Sequence, residues 1–156
     1  LYYSLAARMS GFTYTGVDIL DQNISEAQRV FNANGQVDFH VADLHDFKCD
    51  PYDIVVCANT LYNFPNAALA LERLAGMTKK YLLVRALVGE VSLYIRMSHD
   101  DVFDSQGVPG GHWYYSNIYT ESYLFGVLKG LGFKSVSSLR RVPIPPARIT
   151  APILAA

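Results

Sequence analysis

The stretch FTYTGVDILDQNISEAQRV, from Phe12 to Val30, decides how this chain should fold. Its first part is rich in aromatic and β-branched residues, which is typical of a strand, and Asp18 closes that part. The second part repeats apolar residues at helical spacing, with Asp21 as the predicted N-cap and Gly35 as the predicted C-terminal stop. A carboxylate therefore lies where a strand feeds a helix, which is the rim of an open α/β sheet where ligands bind.

The same alternation of strand and helix continues along the chain. Three further strands are predicted, at Val37–Asp43, Tyr52–Asn59 and Lys80–Val88. Helices are predicted from Asn66 to a stop at Gly76, and from an N-cap at Thr120 to about Leu131. The order predicts an α/β fold with a doubly wound, mostly parallel sheet. At the end, Phe133–Val142 and residues 147–156 are predicted as an antiparallel strand pair after the Pro143–Pro146 turn.

Composition excludes several classes of protein. The 156 residues suffice for one globular domain, and 51% of them are hydrophobic, which argues against disorder. The 13 basic residues balance 14 acidic ones, so no nucleic-acid surface is indicated. No apolar run of membrane-spanning length and no secretory signal is visible, so the default expectation is a cytoplasmic protein. Cys49 and Cys57 lack metal-ligand spacing with the four histidines, so two free thiols and no metal site are expected.

Residues 89–119 interrupt the alternation. They include DSQGVPGGHWYYSNIY, which combines glycine with many aromatic residues. Linkers are seldom so aromatic, so this segment is predicted to be an irregular loop or lid on the substrate side of the domain.

Two acidic residues lie at successive strand ends, and together they predict a nucleoside-binding pocket. A carboxylate at Asp18 suits the paired hydroxyls of a ribose, because it can accept two hydrogen bonds from a vicinal diol. Asp43 would accept from the exocyclic amine of an adenine, with Leu44 packed on the ring. The simpler alternatives are that Asp18 caps the following helix and that Asp43 forms an Asx-turn.

The chain resembles the class I S-adenosylmethionine-dependent methyltransferases. The motifs that carry the resemblance cover most of the chain: YTGVDI, VADLHDF, YDIVVCANTLYNFPN and KKYLLVR, followed by a helix and late strands. The resemblance implies S-adenosylmethionine as cofactor, with the ribose at Asp18 and Ile19 and the adenine at Asp43 and Leu44. It also implies that the segment from Asn59 and Thr60 to Phe64 borders both the methionine moiety and the methyl acceptor.

The resemblance implies transfer of a methyl group by in-line displacement, and no catalytic base is assigned. The acceptor-side candidates follow the strand Tyr52–Asn59, lie on the strand Lys80–Val88 or belong to the 89–119 segment. They are Tyr62, Asn63, Arg85, His112, Tyr115 and Tyr119. Arg85 lies on an apolar strand, either as a buried anion binder or as a paired structural charge. The sequence ANTLYN lacks the Asn/Asp-Pro-Pro-aromatic signature for planar amino groups, which argues against adenine or glutamine acceptors. Because the charge balance also disfavours large nucleic acids, a small-molecule acceptor is predicted.

One family feature does not appear in the sequence. A first strand and a glycine-rich loop should precede Asp18 by about 20 residues, which reaches the start of the chain. Leu1–Gly11 is then predicted to be the helix after that loop, and residues 1–156 to be one N-terminally incomplete domain. The absent strand would leave a gap between the strands that end at Asp18 and Asn59.

Two other functions compete with methyl transfer. The absent loop favours a non-catalytic relative that keeps the fold as a binding or interaction module. A nucleotide-dependent oxidoreductase is the weaker alternative, because no tyrosine is followed by lysine at the Tyr-x-x-x-Lys spacing of short-chain dehydrogenases.

Overall fold

The computed structural model describes residues 11–31, 37–98, 105 and 113–138. In chain order the elements are β1 (Tyr14–Asp18), α1 (Asp21–Phe31), β2 (Val37–Val41), β3 (Tyr52–Ala58), a 3-10 turn (Leu61–Asn63), α2 (Ala67–Gly76), β4 (Thr78–Arg85), β5 (Val88–Gly89), β6 (Arg96–Ser98), β7 (Trp113–Tyr115), β8 (Tyr119–Thr120) and α3 (Glu121–Gly130). The predicted α/β class with parallel strands is confirmed.

The four long strands form two parallel pairs. β1 pairs with β2, with Asp18 opposite Val41, and β3 pairs with β4, with Ala58 opposite Arg85. Parallel pairing places the carboxyl ends of each pair together, which is what a rim site requires. Among the described residues the two pairs are separate sheets, and the predicted strand between β1 and β3 stays a prediction.

Helix α1 begins one residue earlier than its predicted start. Asp21 is its first residue rather than its N-cap, and the Leu20 carbonyl accepts from the amides of Asn23 and Ile24. Asp18 forms an Asx-turn just before the helix, because its Oδ1 accepts from the Leu20 amide, and its Oδ2 accepts from the Asn23 side chain. Asp21 still lies in the first turn, where the helix dipole favours a negative charge.

Helix α2 packs against one face of the β3–β4 pair, and the core lies between them. Leu71 and Leu74 are buried on the predicted apolar face of the helix. Cys57 of β3 contacts them, whereas its neighbour Val56 points to the opposite face and is 43% exposed. The helix includes Gly76, and Met77 is the C-cap, so the predicted stop lies one residue early.

The N-cap of α2 offers a direct test of local stability. The Asn66 side chain accepts a 2.9 Å hydrogen bond from the Ala68 amide. Asn66→Ala should lower the free energy of unfolding by about 1 kcal/mol, because that amide loses its partner. Urea denaturation measures this change, and Asn66→Asp is the control that keeps a capping oxygen. Equal losses in both variants would contradict the capping role.

Within the 89–119 segment, the described stretches 89–98 and 113–119 are more regular than predicted. β6 pairs with β7 antiparallel, and β5 pairs with β8 parallel. Leu93 and Ile118 form a further bridge, with both backbone hydrogen bonds at 2.9 Å. The prediction of an irregular loop is therefore wrong for the described part, because these short strands satisfy its backbone groups in pairs.

Several predicted boundaries shift, and some predictions lie outside the described residues. β4 runs from Thr78 to Arg85 rather than from Lys80 to Val88, and residues 133–138 form no strand. The predicted helix at residues 1–10, the stop at Gly35 and everything after residue 138 lie outside the described residues. Helix α3 and its N-cap are confirmed, since the Thr120 side chain accepts from the Tyr123 amide.

Candidate functional site at the carboxyl ends of the strands

Asp18 is the last residue of β1 and its carboxylate is half-buried. Oδ1 accepts from the Leu20 amide at 2.9 Å, and Oδ2 accepts from Nδ2 of Asn23 at 3.0 Å. The backbone carbonyl of Asp18 accepts from the Ala42 amide at 3.0 Å, which ties the ends of β1 and β2 together. The two side-chain bonds hold the carboxylate in one orientation at this rim. Its predicted neighbour Ile19 is 62% exposed.

The segment after β2 turns sharply at Asp43. Its Oδ1 accepts from the His45 amide at 2.7 Å, which is the Asx-turn that the sequence left open as an alternative. Its carbonyl accepts from the amides of Asp46 and Phe47. Leu44 packs against the core, and Asp43 is half-buried. The turn therefore fixes the backbone around Asp43 and leaves Oδ2 without a hydrogen bond to any described residue.

The end of β3 carries an unusual backbone conformation. Asn59 has φ of 59°, which is the left-handed region, and its amide donates to the Arg85 carbonyl at 3.1 Å. Asn tolerates this region better than most residues, and strained positions of this kind cluster at ligand sites. Thr60 follows, with its hydroxyl donating to the Ala58 carbonyl at 3.2 Å. Both side chains are exposed at the same edge as β4's last residue.

The strand ends are linked into one edge by contacts between their loops. The rings of His45 and Phe64 meet with centroids 5.7 Å apart, so the turn after β2 contacts the segment after β3. Leu44 and Phe64 both pack against the same core, which includes buried Leu61. The structure thus brings the Asp43 turn beside the Asn59–Phe64 segment, although the two belong to different strand pairs.

The acceptor-side candidates lie in different environments. Tyr62 and Tyr115 are half-buried, whereas Asn63 is exposed. Arg85 is exposed at the end of β4, so the alternative of a buried anion binder is wrong, because β4 alternates its side chains and this position falls on the face away from the core. Tyr119 is fully buried. His112 lies outside the described residues, and the roles of the others stay predictions.

Asn117 is the residue whose importance the sequence did not reveal. It is fully buried, and its side chain accepts from the Ile95 amide and donates to the Phe64 carbonyl, at 3.0 and 2.9 Å. A polar side chain among aromatic residues is a weak signal, because only the fold shows what surrounds it. Burial raises the pKa of the neighbouring Tyr119 phenol, so that phenol remains a hydrogen-bond donor near neutral pH.

A cavity of about 440 Å³ lies elsewhere, between the loop after β2 and the end of α2. It is lined in part by Lys48, Cys49 and Arg73, close to where β3 and β4 begin, so it is not the strand-end site. Both cysteines are free, as predicted. Within residues 11–31, 37–98, 105 and 113–138, no His, Cys, Asp and Glu cluster suits a metal ion, and no helix is long and apolar enough to cross a membrane.

Solved structures share this fold. The chain matches the crystal structure of the N-terminal domain of EvdMO1 with SAH bound, with a TM-score of 0.59 and 17% identity over 86% of this chain and 60% of that one. The same domain in the presence of SAH and D-fucose matches with a TM-score of 0.58 and 18% identity, over 85% of this chain and 61% of that one. The [4+2]-cyclase SpnF matches with a TM-score of 0.53 and 15% identity, over 83% of this chain and 46% of that one. The chain thus spans about three fifths of the length of the EvdMO1 domain.

The family assignment comes from the sequence comparison. No curated protein sequence matches the chain. A family model described as a methyltransferase domain matches residues 1–80, which is more than half of the 156 residues and includes β1, β2, β3 and α2. The matched region holds both strand-end acids and the Asn59–Phe64 segment. The chain belongs to the class I S-adenosylmethionine-dependent methyltransferases.

Proposed function

We propose that this chain binds S-adenosylmethionine at the strand ends and transfers its methyl group to a small-molecule acceptor. The observation that carries the proposal is the placement of Asp18 and Asp43 after adjacent parallel strands, with the Ala42 amide bonded to the Asp18 carbonyl. Two acids on neighbouring strand ends match the ribose and adenine of one nucleoside.

The hydrogen bonds already made by Asp18 leave room for a ribose. An ionised carboxylate has about four acceptor positions, two on each oxygen. Leu20 and Asn23 occupy one position on each oxygen of Asp18. Counting the bonds from described residues, one acceptor position per oxygen therefore remains for the two vicinal hydroxyls, and the carboxylate is already oriented before the ligand arrives.

Asp43 offers the corresponding contact for adenine. Its Oδ1 is engaged by the His45 amide, and Oδ2 is available toward the exocyclic amine of the base. Leu44 is half-buried beside it and supplies an apolar surface for the ring. The methionine moiety would then lie along Asn59 and Thr60, whose side chains are exposed at the next strand end.

The reaction needs alignment more than acid–base chemistry. A nucleophilic atom of the acceptor attacks the methyl carbon of the sulfonium, the new bond forms as the sulfur–carbon bond breaks, and S-adenosylhomocysteine leaves with the electron pair on sulfur. Holding the two reactants in line converts a bimolecular step into an effectively unimolecular one. Tyr62, Asn63 and Tyr115 are the side chains that we place beside the acceptor, and no residue is assigned as a base.

A small molecule is the acceptor class that the observations favour. The chain has a net charge of −1, which does not favour binding to a nucleic-acid backbone. The exposed Arg85 at the end of β4 suits an anionic group on the acceptor. The EvdMO1 domain, which shares the fold, was crystallised in the presence of a sugar, D-fucose.

Calorimetric titration with S-adenosylhomocysteine tests cofactor binding. We expect saturable one-to-one binding to the full-length protein. Transfer of labelled methyl groups from S-adenosylmethionine to pools of small metabolites then tests catalysis. A folded full-length protein that does not bind S-adenosylhomocysteine would refute the proposal.

A different role for the same pocket is the second candidate. The fold also occurs in the [4+2]-cyclase SpnF, so the fold alone does not require methyl transfer. Binding of S-adenosylhomocysteine without any transfer to acceptor pools would favour such a role, or a non-catalytic binding module.

A further inference from the structure

We propose that Asn117 and Tyr119 are positioning residues that hold the Leu61–Phe64 segment in its cofactor-binding shape. The inference rests on the proposed function, because it concerns the segment that borders the cofactor and the acceptor. Both residues belong to the region around β8, whereas the segment they hold follows β3, more than 50 positions earlier.

Three carbonyl groups of the segment accept hydrogen bonds from these two residues. The Asn117 amide donates to the Tyr62 carbonyl at 3.0 Å, and its Nδ2 donates to the Phe64 carbonyl at 2.9 Å. The Tyr119 hydroxyl donates to the Leu61 carbonyl at 3.4 Å. The backbone of the whole segment is therefore held from one side.

The two side chains also hold each other. Nδ2 of Asn117 donates to the Tyr119 hydroxyl at 3.2 Å, and Oδ1 of Asn117 accepts from the Ile95 amide at 3.0 Å. Both residues are fully buried, and water cannot replace these bonds when one is lost. The Tyr119 ring lies between Tyr94 and Tyr123, with centroids 6.1 and 5.8 Å away, which fixes the direction of its hydroxyl.

The arrangement links the two halves of the candidate site. Asn117 connects Ile95, which precedes β6, to Phe64, which contacts the Asp43 turn through His45. A shift of the β6–β7 region would therefore move the turn that carries Tyr62 and Asn63. Packing alone would not need three carbonyl partners on one four-residue segment.

Tyr119→Phe is the sharpest test, because it removes the hydroxyl and keeps the ring. Amide hydrogen exchange of Asn63 and Phe64, whose amides donate within the turn, should accelerate by about fivefold while exchange in α2 and β4 stays unchanged. The affinity for S-adenosylhomocysteine should fall by about fivefold. Tyr123→Phe is the matched control, since its hydroxyl makes no hydrogen bond to the segment, and it should change neither quantity.

Asn117→Asp provides a second variant of the same size. It keeps the acceptor for the Ile95 amide but turns an oxygen toward the Phe64 carbonyl. The acceleration of amide exchange at Asn63 and Phe64 and the loss of affinity for S-adenosylhomocysteine should therefore both be larger than in Tyr119→Phe. Unchanged exchange at Asn63 and Phe64 in Tyr119→Phe, or faster exchange with unchanged affinity, would overturn the inference. Failure of the unmodified full-length protein to bind S-adenosylhomocysteine would instead refute the proposed function, because the exchange measurement needs no cofactor.

Discussion

Asp18→Ala should weaken the binding of S-adenosylhomocysteine to the full-length protein by at least about 100-fold, because two hydrogen bonds from the ribose to a charged group are each worth about 1.5–3 kcal/mol. The side chain also holds the turn before α1 through its hydrogen bonds from Leu20 and Asn23, so a loss of about 1 kcal/mol in unfolding free energy is expected as well. Titration calorimetry gives the affinity and thermal unfolding gives the stability.

Two further variants separate the ribose contact from the structural one. Asp18→Asn keeps one acceptor oxygen, so its affinity should lie between those of the unmodified protein and Asp18→Ala. Asp53→Ala removes another strand acid, whose carboxylate pairs with Lys80 at 2.9 Å on the surface and whose pKa that lysine lowers. It should leave the affinity unchanged. Unaltered binding by Asp18→Ala would remove Asp18 from the site.

Leu71→Ala should cause the largest loss of stability, about 2–5 kcal/mol, because it opens a cavity between α2 and the β3–β4 pair. Leu71 is fully buried and packs in the cluster that contains Cys57, Leu61 and Tyr119. Denaturation in urea measures the loss through the midpoint and the slope of the transition.

Leu69→Ala is the matched control on the same helix. Leu69 is 52% exposed, so the same substitution should change the unfolding free energy by less than about 0.5 kcal/mol. Because helix propensity changes equally in the two variants, their difference isolates burial. Equal losses at positions 69 and 71 would contradict the assigned helix face.

Local patterns predicted most of the elements around the site. The strand that ends at Asp18, the start of α2 at Asn66 and the N-cap at Thr120 all follow from short stretches of sequence. Each depends on interactions within a few residues, such as the side chain of Thr120 accepting from Tyr123. Such features can be predicted because their partners are neighbours in the chain.

Predictions that depended on distant partners were less successful. The 89–119 region was expected to be irregular, yet Leu93 pairs with Ile118 across 25 positions. The apolar residues beside Arg85 left a buried anion binder as one alternative, but the exposure of Arg85 depends on which face of β4 meets α2. Neither fact can be obtained from spacing, because each depends on how separate elements pack.

The sequence by itself determined the family, the parallel α/β class and the two strand-end acids, since these depend on residue type and on a period of two or 3.6 residues. Only the tertiary structure decided that Asp43 forms a closed Asx-turn beside Phe64, and that Asn117 and Tyr119 hold the Leu61–Phe64 segment. The physical reason is that a buried hydrogen-bonding group must find a partner, and the partner is supplied by whichever backbone the fold brings near.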